Sequence, residues 1–439
     1  MKIVLIYPSV GRKTETDYIH TWQMEPLTIA QIKSLLPDDV ETVFYDDRIE
    51  NIDYDTDCDA VMISIETYTA SRAYSIAARF RKRNIPVICG GYHPTLFPEE
   101  VKQHCDAVIE GEAEPVISDV LNDLKKDRLK NKYRQKRCSI DSIMPDRSIF
   151  ENKRYMPLSL VESSRGCPYN CGFCSVSAFN KRQYRVRPID LVIEDIKTCS
   201  NNKLFIVDDN LIADKQRAKA LMRRMIPLNI RWAGQGSLHM ANDPELLSLM
   251  KQSGCSLILI GFESLNRETL AKMDKEWNTD LGNTDRLIRN IHNAGIGIYA
   301  TFVFGYGEDN EETFRRTYNF AMRNKFLFAA FNHLVPFPGT KIYNELNRQN
   351  RLIYDKWWLS PDYHYGDIAF YPPKNTAENI RHLCVKYRKK FFSMMSIIRR
   401  TSNYKANIQD WEFAPLYFAQ SFLARKEIDM KLNLIMGDD

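Results

Sequence analysis

Glu162-Ser-Ser-Arg-Gly-Cys167-Pro-Tyr-Asn-Cys171-Gly-Phe-Cys174 follows directly on a short apolar run at residues 158–162, and its three cysteines decide how the rest of the chain reads. Thiolates separated by three and then two residues, on a loop containing glycine and proline, can converge on one metal centre. Soft sulfur ligands select zinc or an iron–sulfur cluster. A structural zinc calls for a fourth Cys or His nearby, and none lies close by. Three cysteines around a four-iron cluster would leave one iron without a protein ligand, and an open coordination site on a redox centre is a place for chemistry.

Working outward, the loop opens a second stretch of alternating elements. Strand patterns at residues 158–162, 203–207, 230–234, 257–260, 298–304 and 330–334 are separated by helical patterns, which predicts a partial (β/α)6 barrel with its functional groups at the carboxyl ends of the strands. Upstream, strands at 3–7, 42–45, 60–64, 86–89 and 107–109, with helices at 27–36 and 70–83, predict a five-stranded, doubly wound parallel sheet of Rossmann-like type. Such a sheet binds ligands at its carboxyl edge, so the loops at 8–22, 66–69, 90–98 and 110–114 are the informative ones. The expected division is 1–125 for the first domain, 126–155 for a charged linker, 156–346 for the barrel and 347–439 for a mostly helical, substrate-binding cap.

The 439 residues include 61 basic and 56 acidic side chains, a net charge of +5 that is too mild to argue for nucleic acid. The basic run at 125–137 reads as a solvated linker. No stretch approaches the roughly 20 apolar residues a membrane span needs. The start of the chain reads as a buried strand rather than a signal peptide, and a cytoplasmic location is the expectation. Ten cysteines in a reduced compartment form no disulfide framework. Cys58, Cys89, Cys105, Cys138, Cys199, Cys255 and Cys384 stand singly and read mostly as small buried residues.

The Cys-x3-Cys-x2-Cys spacing, with an aromatic residue before the third cysteine, resembles the radical S-adenosylmethionine (SAM) superfamily. The resemblance implies a [4Fe-4S] cluster on Cys167, Cys171 and Cys174, whose open iron chelates SAM. One electron, from reduced flavodoxin or ferredoxin, then cleaves SAM to a 5′-deoxyadenosyl radical. It implies further that Phe173 lies near the adenine, and that Asp208, Asp209 and Asn210, ending the second barrel strand, accept from the SAM amino group. Gln235 and Ser237 after the third strand, and Glu263 after the fourth, fall where ribose and carboxylate contacts are usual. For Asp208, Gln235 and Ser237, capping or loop hydrogen bonding is an equal alternative.

In the first domain Ser64-Ile-Glu-Thr67, Gly90-Gly-Tyr-His-Pro-Thr95 and Glu110-Gly-Glu-Ala-Glu114 occur in order. This set resembles the B12-binding domain that precedes the barrel in cobalamin-dependent radical SAM enzymes. It implies cobalamin as a third cofactor, with Ser64, Thr67, Tyr68, Gly90, Gly91, His93, Gly111 and Glu112 as its surroundings. Paired glycines let backbone approach a large ligand, and small hydroxyls can bond its amides or phosphate. The Asp-x-His-x-x-Gly motif of histidine-ligated cobalamin is absent, since the loop reads Asp17-Tyr-Ile-His-Thr-Trp22. His20 is therefore no cobalt ligand by motif, His93 likewise reads as a loop hydrogen-bonding residue rather than a cobalt ligand, and Tyr68 or a neighbour falls to the lower face. A vestigial domain that binds nothing is the alternative.

The function expected from the resemblance is transfer of a methyl group to an unactivated carbon of a small molecule, lipid or peptide. The alternatives are a radical SAM oxidoreductase, hydroxylase or cyclase without methyl transfer, and a non-enzymatic cluster and cobalamin sensor. A methylthiotransferase would need three more cluster cysteines, for which Cys58, Cys89 and Cys105 qualify only by count. Trp357-Trp358, Tyr363-His-Tyr365, Arg399-Arg400 and Trp411 suit an apolar or anionic substrate and an ordinary core equally.

Overall fold

The computed structural model describes residues 1–11, 19–135, 139–278, 282–432 and 434–437. Asp17, Cys138 and the Lys136-Arg137 end of the basic run lie outside the described residues. The first sheet comprises β1 (Lys2–Tyr7), β2 (Glu41–Asp46), β3 (Ala60–Ser64), β4 (Val87–Gly90), β5 (Ala107–Ile109) and β6 (Lys132–Tyr133), in the order β2-β1-β3-β4-β5-β6. Every pairing is parallel. Parallel strands carry helices on both faces and so are apolar throughout rather than alternating. Ile3, Val4, Leu5 and Ile6 are accordingly buried together, Val4 and Ile6 packing into one layer and Ile3 and Leu5 into the other.

The sheet has six strands where five are legible in the sequence. β6 falls inside the basic run, where a two-residue strand shows no alternation, and Tyr133 is its single apolar anchor. The run is also less solvated than a free linker. Lys132 and Arg134 both pair with Glu110, at 2.6 and 2.9 Å, and Lys130 pairs with Asp123 at 3.2 Å.

The second sheet is built from β7 (Ser159–Val161), then, after a small antiparallel ribbon of β8 (Ser164–Arg165) and β9 (Arg185–Val186), from β10 (Lys203–Ile206), β11 (Arg231–Gly236), β12 (Cys255–Glu263), β13 (Gly297–Phe304) and β14 (Phe328–His333). Its order, β14-β13-β12-β11-β10-β7, follows the sequence, and all pairs are parallel. This is an open (β/α)6 barrel. Along β13, Ile298, Ala300, Phe302 and Phe304 are buried in the main core, while Tyr299, Thr301 and Val303 face the concave side.

The helix Ala377–Phe391 packs against β14 at the open end, and Phe413–Lys431 reaches across the concave face. Between the barrel and these helices the chain returns to the first domain. Trp357, Trp358 and Tyr363 enter the same apolar cluster as Val61, Ile63 and Phe80, so the tryptophan pair is domain packing rather than a helical core. Trp358 Nε1 donates to Glu100 Oε1 at 2.9 Å, an oxygen that also accepts from Tyr74 Oη at 2.8 Å and meets His93 Nε2 at 3.1 Å. Burial alone would raise the Glu100 carboxyl, but the bonds from His93, Trp358, Lys356 and Tyr74 outweigh it and hold it down at about 2. Trp411, by contrast, is exposed.

Trp358→Ala removes both the ring and the Glu100 donor. It is expected to lower stability by about 3–5 kcal/mol, read as a drop in the urea midpoint, whereas Trp411→Ala should leave that midpoint unchanged.

Candidate functional site

The carboxyl edges of the two sheets face each other, and the loops between them are clasped by charge. Arg165, two residues before Cys167, pairs through Nη1 with Glu114 at 2.6 Å and Glu112 at 3.3 Å, and through Nε with Glu162 at 2.9 Å. Arg185 holds Glu112 a second time at 2.8 Å, and Gln31 Nε2 donates to Glu162 Oε2 at 2.9 Å. Tyr92, from the paired-glycine loop, stacks on Phe179 of the helix that follows Cys174, with centroids 4.4 Å apart.

Behind this clasp lies a cavity of about 320 Å³. Its floor is the ends of β1, β3, β4 and β5, including Ser64, Gly90 and Gly111, and its far wall is Glu162, Arg165 and Asp209 from the barrel. Glu66 borders the same cavity and accepts from Tyr7 Oη at 3.3 Å. A Cβ added at Gly111 would meet nothing within 4 Å, and one at Gly90 would meet only Ile109 Cβ at 3.6 Å, so both open onto the void. Gly91 differs. It shares a glycine-type φ with Gly111, +112° against +103°, but a Cβ there would strike the Ile65 carbonyl oxygen at 2.8 Å. The turn itself requires Gly91; the cavity does not.

Of the other expected cobalamin residues, Thr67, Tyr68 and His93 do not border this space. His93 is fully buried between Thr67 Oγ1, at 3.3 Å, and Glu100, within the network beneath Trp358. Tyr68 lines a second cavity and packs against Phe337, Trp357 and Tyr365. Glu112 reaches the first cavity with its carboxylate engaged by Arg165 and Arg185. His20 is exposed in a short turn at His20–Trp22.

On the barrel side the three cluster cysteines are free and partly buried, and burial raises all three thiols, Cys171 to about 12 against the pull of Lys275. Each lies near enough to bias the ionisation of another. Among the described residues no three metal-binding side chains converge as a single ion would require. Free thiols brought together on one loop are the donor set of an iron–sulfur cluster. Cys89 and Cys105 sit in the core of the first domain, Cys105 donating to Val101 and Ala107 carbonyls, and so form no second cluster site.

Asp208 is completely buried and points away from the cavity, accepting from Ser163 N and Oγ at 2.6 Å and from Ser164 Oγ at 2.5 Å. It fixes the start of the cysteine loop. Asp209 does line the cavity and accepts from Gly166 N at 2.8 Å; burial lifts it to about 6. Asn210 Nδ2 lies 4.0 Å from Cys167 Sγ, and its Oδ1 is buried without a partner. Gln235 is half-buried and Ser237 buried at the end of β11. Glu263, at the end of β12, has φ +61° beside a register shift, a conformation that costs about 1–3 kcal/mol. Its Oε1 accepts from Lys275 Nζ at 2.7 Å. Lys275 also approaches the Trp277 ring, which stacks on Tyr169 of the cysteine loop at 3.7 Å. Phe173 faces the second cavity.

Residues 161–321 match the Radical SAM superfamily and residues 23–121 match the B12-binding domain. Bacteriochlorophyllide d C-12(1)-methyltransferase of Chlorobaculum tepidum is 31% identical over 389 residues, covering 85% of this chain and 84% of that protein. The chain belongs to the B12-binding radical SAM enzymes. Bacteriochlorophyllide d C-8(2)-methyltransferase of the same organism is 27% identical, covering 75% of this chain and 78% of that protein. In fold the enzyme resembles OxsB, a cobalamin-dependent SAM radical enzyme, with a TM-score of 0.67 and 14% identity, covering all of this chain and 77% of that one. No helix among the described residues is long and apolar enough to cross a membrane.

Sequence reasoning missed Arg165, Tyr92 and Lys275. Arg165 stands beside the cysteines and could have been flagged as a buried cation near acidic loops; Tyr92 sits within the paired-glycine motif without a role that the motif assigns, and Lys275 carries no motif.

Cys167→Ala, Cys171→Ala and Cys174→Ala should each lose the cluster's visible absorbance and abolish SAM cleavage, with Cys89→Ala retaining both. A four-iron spectrum persisting in any one of the three would remove that cysteine from the ligand set. For the first cavity, Gly90→Leu should cut retention of hydroxocobalamin through gel filtration at unchanged iron content. Full retention by this variant would place the cofactor elsewhere.

Proposed function

We propose that the enzyme transfers a methyl group to an unactivated carbon, within a division into cobalamin domain, radical barrel and substrate cap at 1–125, 156–346 and 347–439. The observation that supports the proposal is the clasp: it ties the glycine-floored cavity of the first sheet to Glu162, Arg165 and Asp209, which flank the cysteine loop in the barrel. When bound, the cluster with SAM supplies a radical that takes hydrogen from the substrate, and cobalamin supplies the methyl group.

The chain's own residues do the rest. Asp208 and the Gly166–Asp209 bond set the cysteine loop, Lys275 and Glu263 present opposite charges beside it, and Gly90 and Gly111 leave space for the corrin's bulk. Asp209 and Glu263 are the carboxylates we assign to the SAM amino group and ribose, with Phe173, Gln235 and Ser237 around them. Ser64 is the hydroxyl we assign to the cobalamin side. Phe173 separates the cysteine loop from the second cavity, which we take as the place of the substrate. The two similar methyltransferases act on bacteriochlorophyllide, as their names state. We propose a small organic substrate, an electron supplied by reduced flavodoxin or ferredoxin, and a cytoplasmic location.

Methyl transfer by this route forms S-adenosylhomocysteine and 5′-deoxyadenosine together. Reconstituted enzyme with its substrate, assayed by liquid chromatography, should produce both in equal amounts. Deoxyadenosine without S-adenosylhomocysteine would mean oxidation or cyclisation instead.

A further inference from the structure

The second cavity, of about 570 Å³, lies on the concave face of β13 and β14 beneath the helices Ala377–Phe391 and Phe413–Lys431. Its walls are largely aromatic and apolar, with Tyr68, Phe173, Tyr299 and Tyr365 among them. Three cations border it, and two are neutralised. Arg381 lies 2.9 Å from Asp367, and Lys431 pairs at 2.9 Å with Glu427, which in turn accepts from Thr21 N at 2.9 Å.

Arg388 is the exception. Among the described residues no carboxylate lies within ion-pair reach of it. Its Nη2 donates to the Phe331 carbonyl at 2.9 Å and to Asn332 Oδ1 at 3.0 Å, which fixes the guanidinium against the edge of β14. Its Nε is buried and has no hydrogen-bond partner. Leaving a buried donor unpaired costs free energy, and here that donor belongs to a partly buried cation with no counter-charge. Burial raises the Tyr299 and Tyr365 hydroxyls and lowers His333 and Lys431 around the cavity; the Arg388 charge opposes the first effect and adds to the second. His333 offers no compensation, since burial keeps it neutral, at about 4, with Nδ1 directed to the Leu334 carbonyl at 3.0 Å.

We propose that the substrate of this cavity is an apolar, ring-containing molecule bearing one anionic oxygen group, a carboxylate or a phosphate, and that Arg388 receives that group as its missing counter-ion. The proposal rests on the second cavity being the substrate site, and it adds the substrate's chemical class and the residue that selects it. A planar guanidinium already anchored on one side presents its remaining N–H groups in a fixed direction, which suits oxygen pairs of this kind. The aromatic walls supply the area that the apolar body covers.

The test uses 1-pyrenebutyrate, 1-pyrenebutyl phosphate and the neutral 1-pyrenebutanol as fluorescent probes of the full-length enzyme with its cofactors bound. At least one anionic probe should bind about 10–100-fold more tightly than the alcohol, the scale of a charge-assisted hydrogen bond. Whether butyrate or phosphate binds more tightly identifies the carboxylate or the phosphate source. Arg388→Gln should abolish the preference while leaving pyrenebutanol affinity, iron content and cobalamin retention unchanged. Should that variant fold poorly, Arg388→Lys, which keeps the charge but not the fork, should retain a reduced preference. Ala424→Trp, which fills the cavity from the helix Phe413–Lys431, should abolish binding of all three probes. Equal binding of the acids and the alcohol to wild type, a preference that survives in Arg388→Gln, or probe binding that persists in Ala424→Trp overturns the inference. These outcomes are read by binding alone, so they are separate from whether methyl transfer occurs.

Discussion

Arg165 is the group on which the relation between the two halves depends. Three carboxylates from two domains, Glu112, Glu114 and Glu162, gather on one guanidinium that is itself only 14% exposed. Charges this enclosed are tolerable only while paired, and removing one partner of such a group typically costs about 3–5 kcal/mol. The clasp therefore does more than add stability. Arg165 lies in the strand that leads into Cys167, so the position of the first sheet's loops is transmitted directly to the cysteine loop.

From that constraint the layout follows. The first sheet ends in glycines that leave space, the barrel presents Glu162, Arg165 and Asp209 across the cavity, and the cysteine loop runs on from Arg165. The third region of the chain closes the arrangement from the other side. Its Trp358 is bound into the first domain through Glu100, while its helices cover the open barrel beside β14. Apolar packing thus fixes the cap to both domains, and the second cavity is left where all three meet, with Tyr68 of the first domain and Phe173 of the cysteine loop in its lining.

Much of this was legible in the sequence because parallel strands write themselves as apolar runs between helical patterns. Eleven strands of the two large sheets could be placed that way, and β6, two residues in a basic run, could not. The cysteines announced themselves by spacing, and belonging to the radical SAM superfamily followed. Individual roles were less accessible, because a motif gives a residue's place along the chain and not its direction. Asp208 and Asp209 are adjacent, yet one is sealed against Ser163 and Ser164 and the other borders the cavity. Gly90 and Gly91 look alike, yet one opens onto the void and the other is demanded by its own backbone angle. His93, conspicuous in its motif, is a buried hydrogen-bonding residue beneath a tryptophan that arrives from residue 358. Contacts of that separation leave no local trace.

A cobalamin held at the first cavity and a cluster held on the cysteine loop would be near neighbours, with the Arg165 clasp between them. Electron paramagnetic resonance of the enzyme carrying both cob(II)alamin and a reduced cluster tests this most directly, by comparison with protein holding either centre alone. The expected spectrum shows a cobalt signal broadened by the neighbouring cluster spin, with the broadening lost in Arg165→Gln. A spectrum equal to the sum of the two isolated centres would contradict it.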